Sequence, residues 1–221
     1  MLNNSPFYYQ MFRKYILAIH HILSDIIVQR FDKNGNITKE IKVPVTLGGK
    51  TMMFQILENE VDIVGPILPR ISFILSGLNI DEERKENPIN KYYVDLPDGT
   101  NEEFIYSGKP YNIHFSVTVW TKYVEDLFQI IEQICVFFNP DFSVTVNEIE
   151  ELNLKRDVTI MLNDDIDINI SSDFEEGSER EVSADLTFIL KGYLYPPIKN
   201  DNVIEFITQN FYNKDDNDSN E

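Results

Sequence analysis

The sequence of 221 residues contains one cysteine, Cys135, so no intramolecular disulfide can form within it. This scarcity is typical of proteins that work in a reducing compartment. No charge-free stretch is longer than twelve residues, whereas a membrane-spanning helix needs about 18 apolar residues in a row. The amino terminus also lacks the basic, apolar and small-residue order of a signal peptide. These absences predict a cytosolic protein without a membrane partner.

Basic residues are scarce, because 19 Lys and Arg stand against 37 Asp and Glu and the formal net charge is −18. Phosphate contacts need clustered basic side chains, so this balance excludes a nucleic-acid-binding protein held mainly by a basic surface. It also argues against an anionic membrane surface as the main partner. Residues 1–50 carry a balance of +4 and residues 51–221 one of −22. Such polarity suits contacts between copies or partners through complementary patches, although an acidic, merely soluble protein explains the charge equally well.

Side chains suited to catalysis or metal binding are few. His20 and His21 lie about 100° apart on a helix, so they cannot face one metal ion together. Asp165 and Asp167 share the solvent-facing phase of a strand, which indicates a solvated surface better than a carboxylate cluster. Cys135 lies near the apolar side of a predicted helix, where a buried thiol is inert. We therefore predict a protein that is not an enzyme and that has no cofactor and no metal.

One fragment leaves an enzymatic alternative open. Gly48-Gly49-Lys50-Thr51 resembles the end of a phosphate-binding loop, which would make the chain a nucleotide-binding enzyme using Gly49-Lys50-Thr51. The full motif needs a glycine where Pro44 stands, and the residues after Thr51 predict only a weak helix. A flexible turn is therefore the preferred interpretation.

Hydrophobic periodicity predicts two helices. In the first, Ser5 is the N-cap and Pro6 takes the first helical position. Apolar residues then recur at three- and four-residue spacing until the pattern changes to a strand at Ile26. The opposite face is polar and basic, with Leu17 as its one apolar member. The second helix is predicted over residues 124–138, with acidic residues in its first turn, where the helix dipole favours negative charge.

The other periodic segments predict strands. A hairpin turns at Asn34 and Gly35, and its return strand runs from residue 37 to about residue 45, with Pro44 marking an irregularity. A largely buried strand is predicted within residues 67–80. Period-two alternation follows over residues 113–119, 142–146, 158–170 and 182–194, and residues 203–212 are predicted to form a closing strand. This order predicts an α+β fold, in which two helices flank a mainly antiparallel, mixed sheet.

The chain is predicted to form a single domain over residues 1–212. Within it, residues 81–103 are polar and contain Pro88, Pro97 and an Asp-Gly pair, which predicts a long polar loop. Residues 213–221 are predicted to be a disordered acidic tail.

Six segments, in order, carry a family resemblance. The longest runs from Trp120 to Ile134 and is followed by Phe138-Asn139-Pro140. The other five are Phe12-Arg13-Lys14-Tyr15, Val43-Pro44-Val45, Ile67-Leu68-Pro69-Arg70-Ile71, Lys155-Arg156-Asp157, and Leu186-Thr187-Phe188 leading to Gly192-Tyr193-Leu194-Tyr195-Pro196-Pro197. Over residues 7–200 the chain thereby resembles the proximal tail sheath stabilisation proteins of contractile-tailed bacteriophages, which are tail terminator or completion proteins.

The resemblance implies a tail-terminator-like fold and a structural virion protein that is assembled in the host cytoplasm. Members of that family form a homohexameric ring that caps the head-proximal end of the tail, stabilises tube and sheath, and presents a platform to the neck. The implied partners are further copies of the chain, the tail sheath protein, the tail tube terminator and neck or head-completion proteins. DNA passes through such a ring without being specifically bound. Another ring component of a contractile injection machine is a second alternative.

Candidate interface residues come from the first helix and from the matched segments. On the helix they are Arg13, Lys14 and Leu17, which we expect to meet acidic residues of a neighbouring subunit or of the sheath. In the matched segments they are Lys122, Lys155 and Arg156. A solvated face explains the first three equally well, and strand-end ion pairs explain the last three equally well.

Overall fold

A computed structural model describes residues 7–49, 68–95, 101–138, 141–163, 165–170 and 182–202 of the chain. The two helices in these ranges are α1 (Met11–Leu23) and α2 (Val124–Phe137). The strands are β1 (Ile27–Phe31), β2 (Ile37–Lys42), β3 (Val45–Leu47), β4 (Arg70–Ile80), β5 (Lys91–Asp95), β6 (Asn101–Tyr106), β7 (Lys109–Thr121), β8 (Asp141–Ile149), β9 (Leu154–Leu162), β10 (Asp167–Ile170), β11 (Val182–Leu194) and β12 (Lys199–Asn202).

A seven-stranded sheet forms the centre of the described fold, in the order β3-β4-β7-β11-β9-β8, with β10 also paired to β11. The β3–β4 pair is parallel, and the other pairs in this sheet are antiparallel. Two smaller antiparallel sheets accompany it, a β1–β2 hairpin and a β12-β6-β5 sheet. The prediction of an α+β fold with a mainly antiparallel, mixed sheet and two helices is confirmed.

The core lies where α1 packs on β8 and β11 and α2 packs on β7 and β11. The strands β7 and β11 pair with each other from end to end. Phe115 of β7 and Phe188 of β11 are buried partners across that ladder, as the period-two alternation predicts. From α1, Tyr15 and Ile19 point into this core, because apolar residues at helical spacing form one stripe. Phe138, just after α2, meets Phe188 edge-on with ring centroids 4.9 Å apart. The apolar phases predicted for β7 and β11 therefore face the core.

The first helix starts later than predicted. It begins at Met11, because Gln10 has a left-handed backbone with φ 56° and the residues from Phe7 to Gln10 are not helical. A tertiary contact holds this lead-in segment, since the Tyr9 hydroxyl accepts a hydrogen bond from the Ile198 N–H at 2.9 Å. The predicted cap residues 5 and 6 lie outside the described residues, whereas the predicted end before residue 26 is confirmed.

The predicted hairpin is confirmed, with its turn at Gly35. This glycine has φ 80°, and its N–H donates to the Asp32 carbonyl at 2.8 Å. The return strand is shorter than predicted, because β2 ends at Lys42 and Pro44 has no N–H for a ladder. After that break the chain leaves the hairpin and β3 joins the central sheet beside β4.

The hairpin is attached to α2 through two glutamines, whose side-chain amides form hydrogen bonds with the backbone of β1. Gln129 accepts from the Gln29 N–H and donates to the Gln29 carbonyl, both at 2.9 Å. One helical turn on, Gln133 does the same with Ile27, at 3.3 Å and 2.8 Å. Since backbone groups of an edge strand need partners, this pair closes the outer edge of β1.

Replacing both Gln129 and Gln133 with alanine is expected to lower the free energy of unfolding by about 1–3 kcal/mol, because two pairs of hydrogen bonds are lost. Amide hydrogen exchange at Ile27 and Gln29 should accelerate more than exchange in the core. The matched control is Glu132→Ala, since Glu132 is exposed on the same helix. Equal exchange rates in both variants would show that the glutamines do not hold the hairpin.

Residues 81–103 are not one long loop, which corrects the prediction. The strands β5 and β6 lie within and across this span and pair from Lys91↔Tyr106 to Asp95↔Glu102. Phe104 is buried under aromatic neighbours and under the Lys91 ammonium, 3.8 Å from its ring centroid. The span therefore contains a pair of strands, whose apolar and aromatic residues are Tyr92, Tyr93 and Val94 in β5 and Phe104, Ile105 and Tyr106 in β6.

The long alternation predicted as one strand over residues 158–170 is divided in two. β9 and β10 pair with different parts of the same edge of β11, and the chain is interrupted between Leu162 and Asp167. Asp165 and Asp167 are exposed, as predicted. The predicted closing strand 203–212 and the predicted tail 213–221 lie outside the described residues. Neither described helix is long and apolar enough to cross a membrane.

Candidate subunit interface and the buried network behind it

The basic face of α1 is only partly free to meet a partner. Arg13 and Leu17 are exposed. Lys14 is half-buried, because its ammonium lies 3.1 Å from the Glu148 carbonyl and 3.3 Å from a carboxylate oxygen of Glu150. The structure therefore leaves Arg13 and Leu17 as the surface members of this predicted interface and ties Lys14 to the sheet.

The candidates from the matched segments also divide into two kinds. Lys122, between β7 and α2, and Lys155, on β9, are exposed. Arg156 is largely enclosed, and its Nε lies 3.3 Å from a carboxylate oxygen of Glu148. An internal ion pair accounts for Arg156. The contacts of all six candidates with a partner stay predictions.

Glu148 is the centre of the network that holds both Lys14 and Arg156. Its side chain is completely enclosed, with 0% exposure. The Tyr195 hydroxyl donates to Oε2 at 2.5 Å, and the Tyr15 hydroxyl lies 2.9 Å from Oε1. Burial raises the pKa of Glu148, while the hydrogen bonds from the two tyrosines and the charge of Arg156 act in the opposite direction. A carboxylate in such a place is tolerated only because its oxygens have these partners.

Tyr15 also connects α1 to the end of β11. Its hydroxyl accepts a hydrogen bond from the Tyr193 N–H at 2.9 Å and lies 3.0 Å from the Tyr193 carbonyl. The Tyr193 ring in turn receives the Arg156 guanidinium at 4.1 Å. Burial, together with the adjacent Glu148 carboxylate, raises the pKa of Tyr15 far above its ordinary value, so the hydroxyl keeps its proton.

Two glycines provide room for the two tyrosines that bind Glu148. A Cβ placed on Gly192 would lie 2.7 Å from the ring of Tyr15. A Cβ placed on Gly108 would lie 2.7 Å from the ring of Tyr195. Both distances are shorter than any normal carbon–carbon contact, so each position requires glycine for close packing.

Three of the six matched segments meet at Glu148. They contribute Tyr15 from α1, Arg156 from β9, and Tyr193 with Tyr195 from the end of β11. Sequence reasoning missed Glu148 itself, although a signal was present. Glu148 continues the inward phase of residues 142, 144 and 146 in β8. An acidic residue in that phase is unusual unless it is buried with partners.

Two other matched segments meet on the central sheet. Arg70, from the third segment along the chain, is the cross-strand neighbour of Trp120, which begins the longest segment. The Trp120 indole N–H donates to the Ser72 hydroxyl at 3.2 Å. These two segments therefore meet across the β4–β7 pair.

Comparison with known proteins identifies the family. A sequence model of the T4-like virus Myoviridae tail sheath stabiliser matches residues 6–221. The tail completion protein gp15 of Enterobacteria phage T4 is 30% identical over 202 residues, which cover 87% of this chain and 73% of that protein. The chain belongs to the tail sheath stabiliser family.

As a tail sheath stabiliser, the chain is a structural component of a phage virion and lies in its tail. The resemblance drawn from the six segments is thereby confirmed. The alternative of a nucleotide-binding enzyme receives no support from these comparisons, and Lys50 and Thr51 lie outside the described residues.

The remaining candidate groups are placed by the fold as follows. In the part of the chain that the structure describes, no three His, Cys, Asp or Glu side chains are grouped so that they could hold a metal ion. His20 packs against Phe73, with ring centroids 6.3 Å apart. Cys135 is half-buried on α2, and burial raises the pKa of its thiol.

Proposed function

We propose that this chain forms a closed homohexameric ring that caps the head-proximal end of a contractile tail. In this role it ends the growth of tube and sheath and presents a platform to the neck. The family match over residues 6–221 is the observation that carries the proposal. The relative from phage T4 is named a tail completion protein, which agrees with a position at the finished end.

A ring is built from head-to-tail contacts, in which one surface of a subunit meets a different surface of the next. The balance of +4 over residues 1–50 and −22 over residues 51–221 is compatible with two surfaces of opposite charge. Arg13 and Leu17 on α1, with Lys122 and Lys155, are the exposed residues that we place in contacts with the next subunit or with the sheath.

The fold proposed for this role is tail-terminator-like. Its partners are the tail sheath protein, the tail tube terminator and the head-completion or neck proteins. DNA has to pass through the ring, and a net charge of −18 repels the phosphate backbone rather than binding it. The acidity of the chain is thus compatible with a channel that DNA crosses without being held.

Electron microscopy and native mass spectrometry of the purified full chain test the proposal. We expect a six-fold ring with six times the subunit mass of 25.8 kDa. Arg13→Glu should reduce the ring fraction and its dependence on salt, whereas Lys109→Glu, at an exposed lysine outside the proposed contacts, should not. A strict monomer at high protein concentration would overturn the ring, and an unchanged ring in Arg13→Glu would remove α1 from the contact.

A further inference from the structure

Two exposed strand edges in the described chain have complementary chemistry. β2 pairs only with β1, and β10 pairs only with β11, as far as the described residues extend. All four residues of β10 are exposed, and so are all residues of β2 except the half-buried Ile41. An open edge presents unpaired backbone N–H and carbonyl groups and is a ready template for another strand.

The β2 edge carries exposed apolar residues together with Lys39, Glu40 and Lys42. Lys42 is paired with Asp25, and Glu40 accepts a hydrogen bond from the Gln29 side chain, so Lys39 is the charge that remains for a partner.

Ile37 is exposed, and so is Phe31, its cross-strand partner. Lys39 lies directly opposite Arg30, a like-charge pair that folding alone disfavours. Arg30 turns away to the buried carboxylate of Asp126, at 3.0 Å. Lys39 is consequently left without an ion-pair partner among the described residues.

The β10 edge is acidic and apolar, so its charge is opposite to that of Lys39. Ile168 and Ile170 are 45% and 47% exposed, respectively. Asp167 lies directly opposite Asp185, again a like-charge pair that folding alone disfavours. Asp185 is engaged by the Thr118 hydroxyl at 2.6 Å. Asp165 and Asp167 have no ion pair within the described residues.

The hairpin that carries β2 is held in a fixed position. Its other edge is closed by Gln129 and Gln133, and Arg30 is bound both to Asp126 and over the Tyr123 ring, 4.9 Å from its centroid. An edge that is rigid before contact loses less conformational entropy on binding than a mobile one. The hairpin is therefore suited to act as an arm.

We infer that β2 of one copy of this chain contacts β10 of the next copy, edge to edge. The contact places Lys39 against Asp165 and Asp167, brings the exposed isoleucines together and satisfies backbone groups that each edge leaves open. Because every copy carries one edge of each kind, the contact is head-to-tail and can close into a ring. This inference rests on the proposed ring and names the surfaces that form it.

Charge exchange tests the contact by sedimentation velocity on the full chain at low ionic strength. Lys39→Glu alone and Asp167→Lys alone should each weaken self-association by about tenfold, since each places like charges in the interface. The double variant, which restores opposite charges, should recover to within about threefold of the unchanged chain. Lys109→Glu is the control for a general effect of charge and should have no effect. Additive losses in the double variant would overturn the edge contact.

A cysteine cross-link gives an independent readout in the background of Cys135→Ser. Combining Lys39→Cys with Asp167→Cys should produce an intermolecular disulfide ladder under mild oxidation, whereas either change alone should not. If the ring forms without this disulfide ladder, and if the charge variants assemble as well as the unchanged chain, the edge contact is overturned but the ring is not. Cross-linked rings with a number of subunits other than six would support the edge contact and overturn the hexamer.

Discussion

Glu148→Ala is expected to lower the free energy of unfolding by about 3–5 kcal/mol, the usual result of removing one partner from a buried ion pair. The change leaves the Arg156 guanidinium largely enclosed and without its carboxylate. It also removes the acceptor that the buried Tyr195 hydroxyl donates to at 2.5 Å and that lies 2.9 Å from the Tyr15 hydroxyl. Chemical denaturation of the purified variant measures the loss.

The control for Glu148 is its exposed neighbour Glu150, whose Glu150→Ala change removes one surface ion pair with Lys14. That variant should lose no more than about 1 kcal/mol. Similar losses for both residues would show that the Glu148 network does not hold the fold together.

The same carboxylate gives a pH dependence with a definite sign. Burial raises the pKa of Glu148, so the folded chain binds this proton more tightly than the unfolded chain. Its contribution therefore favours folding at low pH and is lost as the pH rises from the ordinary glutamate pKa through the raised one. The free energy of unfolding of the unchanged chain, relative to that of Glu148→Gln, should therefore decrease as the pH rises across that window.

Gly192→Ala is the second change with a large expected effect. The new methyl group would lie 2.7 Å from the Tyr15 ring and 3.1 Å from Ile113. Tyr15 cannot move away easily, because it is completely buried and its hydroxyl is held by Glu148 and by the Tyr193 backbone. We expect a loss of about 1–3 kcal/mol or more from overpacking, measured as a lower midpoint of denaturation.

The matched control for Gly192 is Gly77→Ala in β4. A Cβ on Gly77 would lie no closer than 3.7 Å to any neighbour, which is an ordinary contact with His114. This variant should keep nearly the stability of the unchanged chain. A Gly192→Ala protein as stable as Gly77→Ala would mean that the Tyr15 ring has room to shift.

Much of the secondary structure follows from local patterns. The stripe of α1 and the phases of β7 and β11 predict which side chains are buried, because burial follows the periods of 3.6 and 2 residues. The Asn-Gly turn of the β1–β2 hairpin is equally local, since Gly35 adopts the positive φ that this turn requires.

The predictions for the start of α1 and for residues 81–103 were wrong because tertiary contacts and strand pairing set the structure there. The first helix starts at Met11 rather than Pro6, since the lead-in segment is held by a bond between Tyr9 and Ile198. β5 lies in a span of polar composition and is stabilised by pairing with β6 and by packing against Phe104, which its own composition does not express. Local propensity contains no information about such partners.

The candidate interface shows the same division. Sequence placed Arg13, Lys14 and Leu17 on one helix face and marked Lys155 and Arg156 as a pair of neighbours. The tertiary structure separated them, because Lys14 and Arg156 turn to Glu148 while the remaining three are exposed. The sequence does not show whether the acidic partner of a basic residue lies within the same molecule.

The α+β class, the acidic character and the six ordered segments typical of the tail sheath stabiliser family can all be read from the amino-acid sequence. These properties depend on composition and on short-range order, which a linear chain expresses directly. The meeting of three of those segments at Glu148, and the room that two glycines make for its tyrosines, become visible in the folded chain. The reason is physical: a buried carboxylate is stable only where several distant donors converge, and the path of the whole chain sets that convergence.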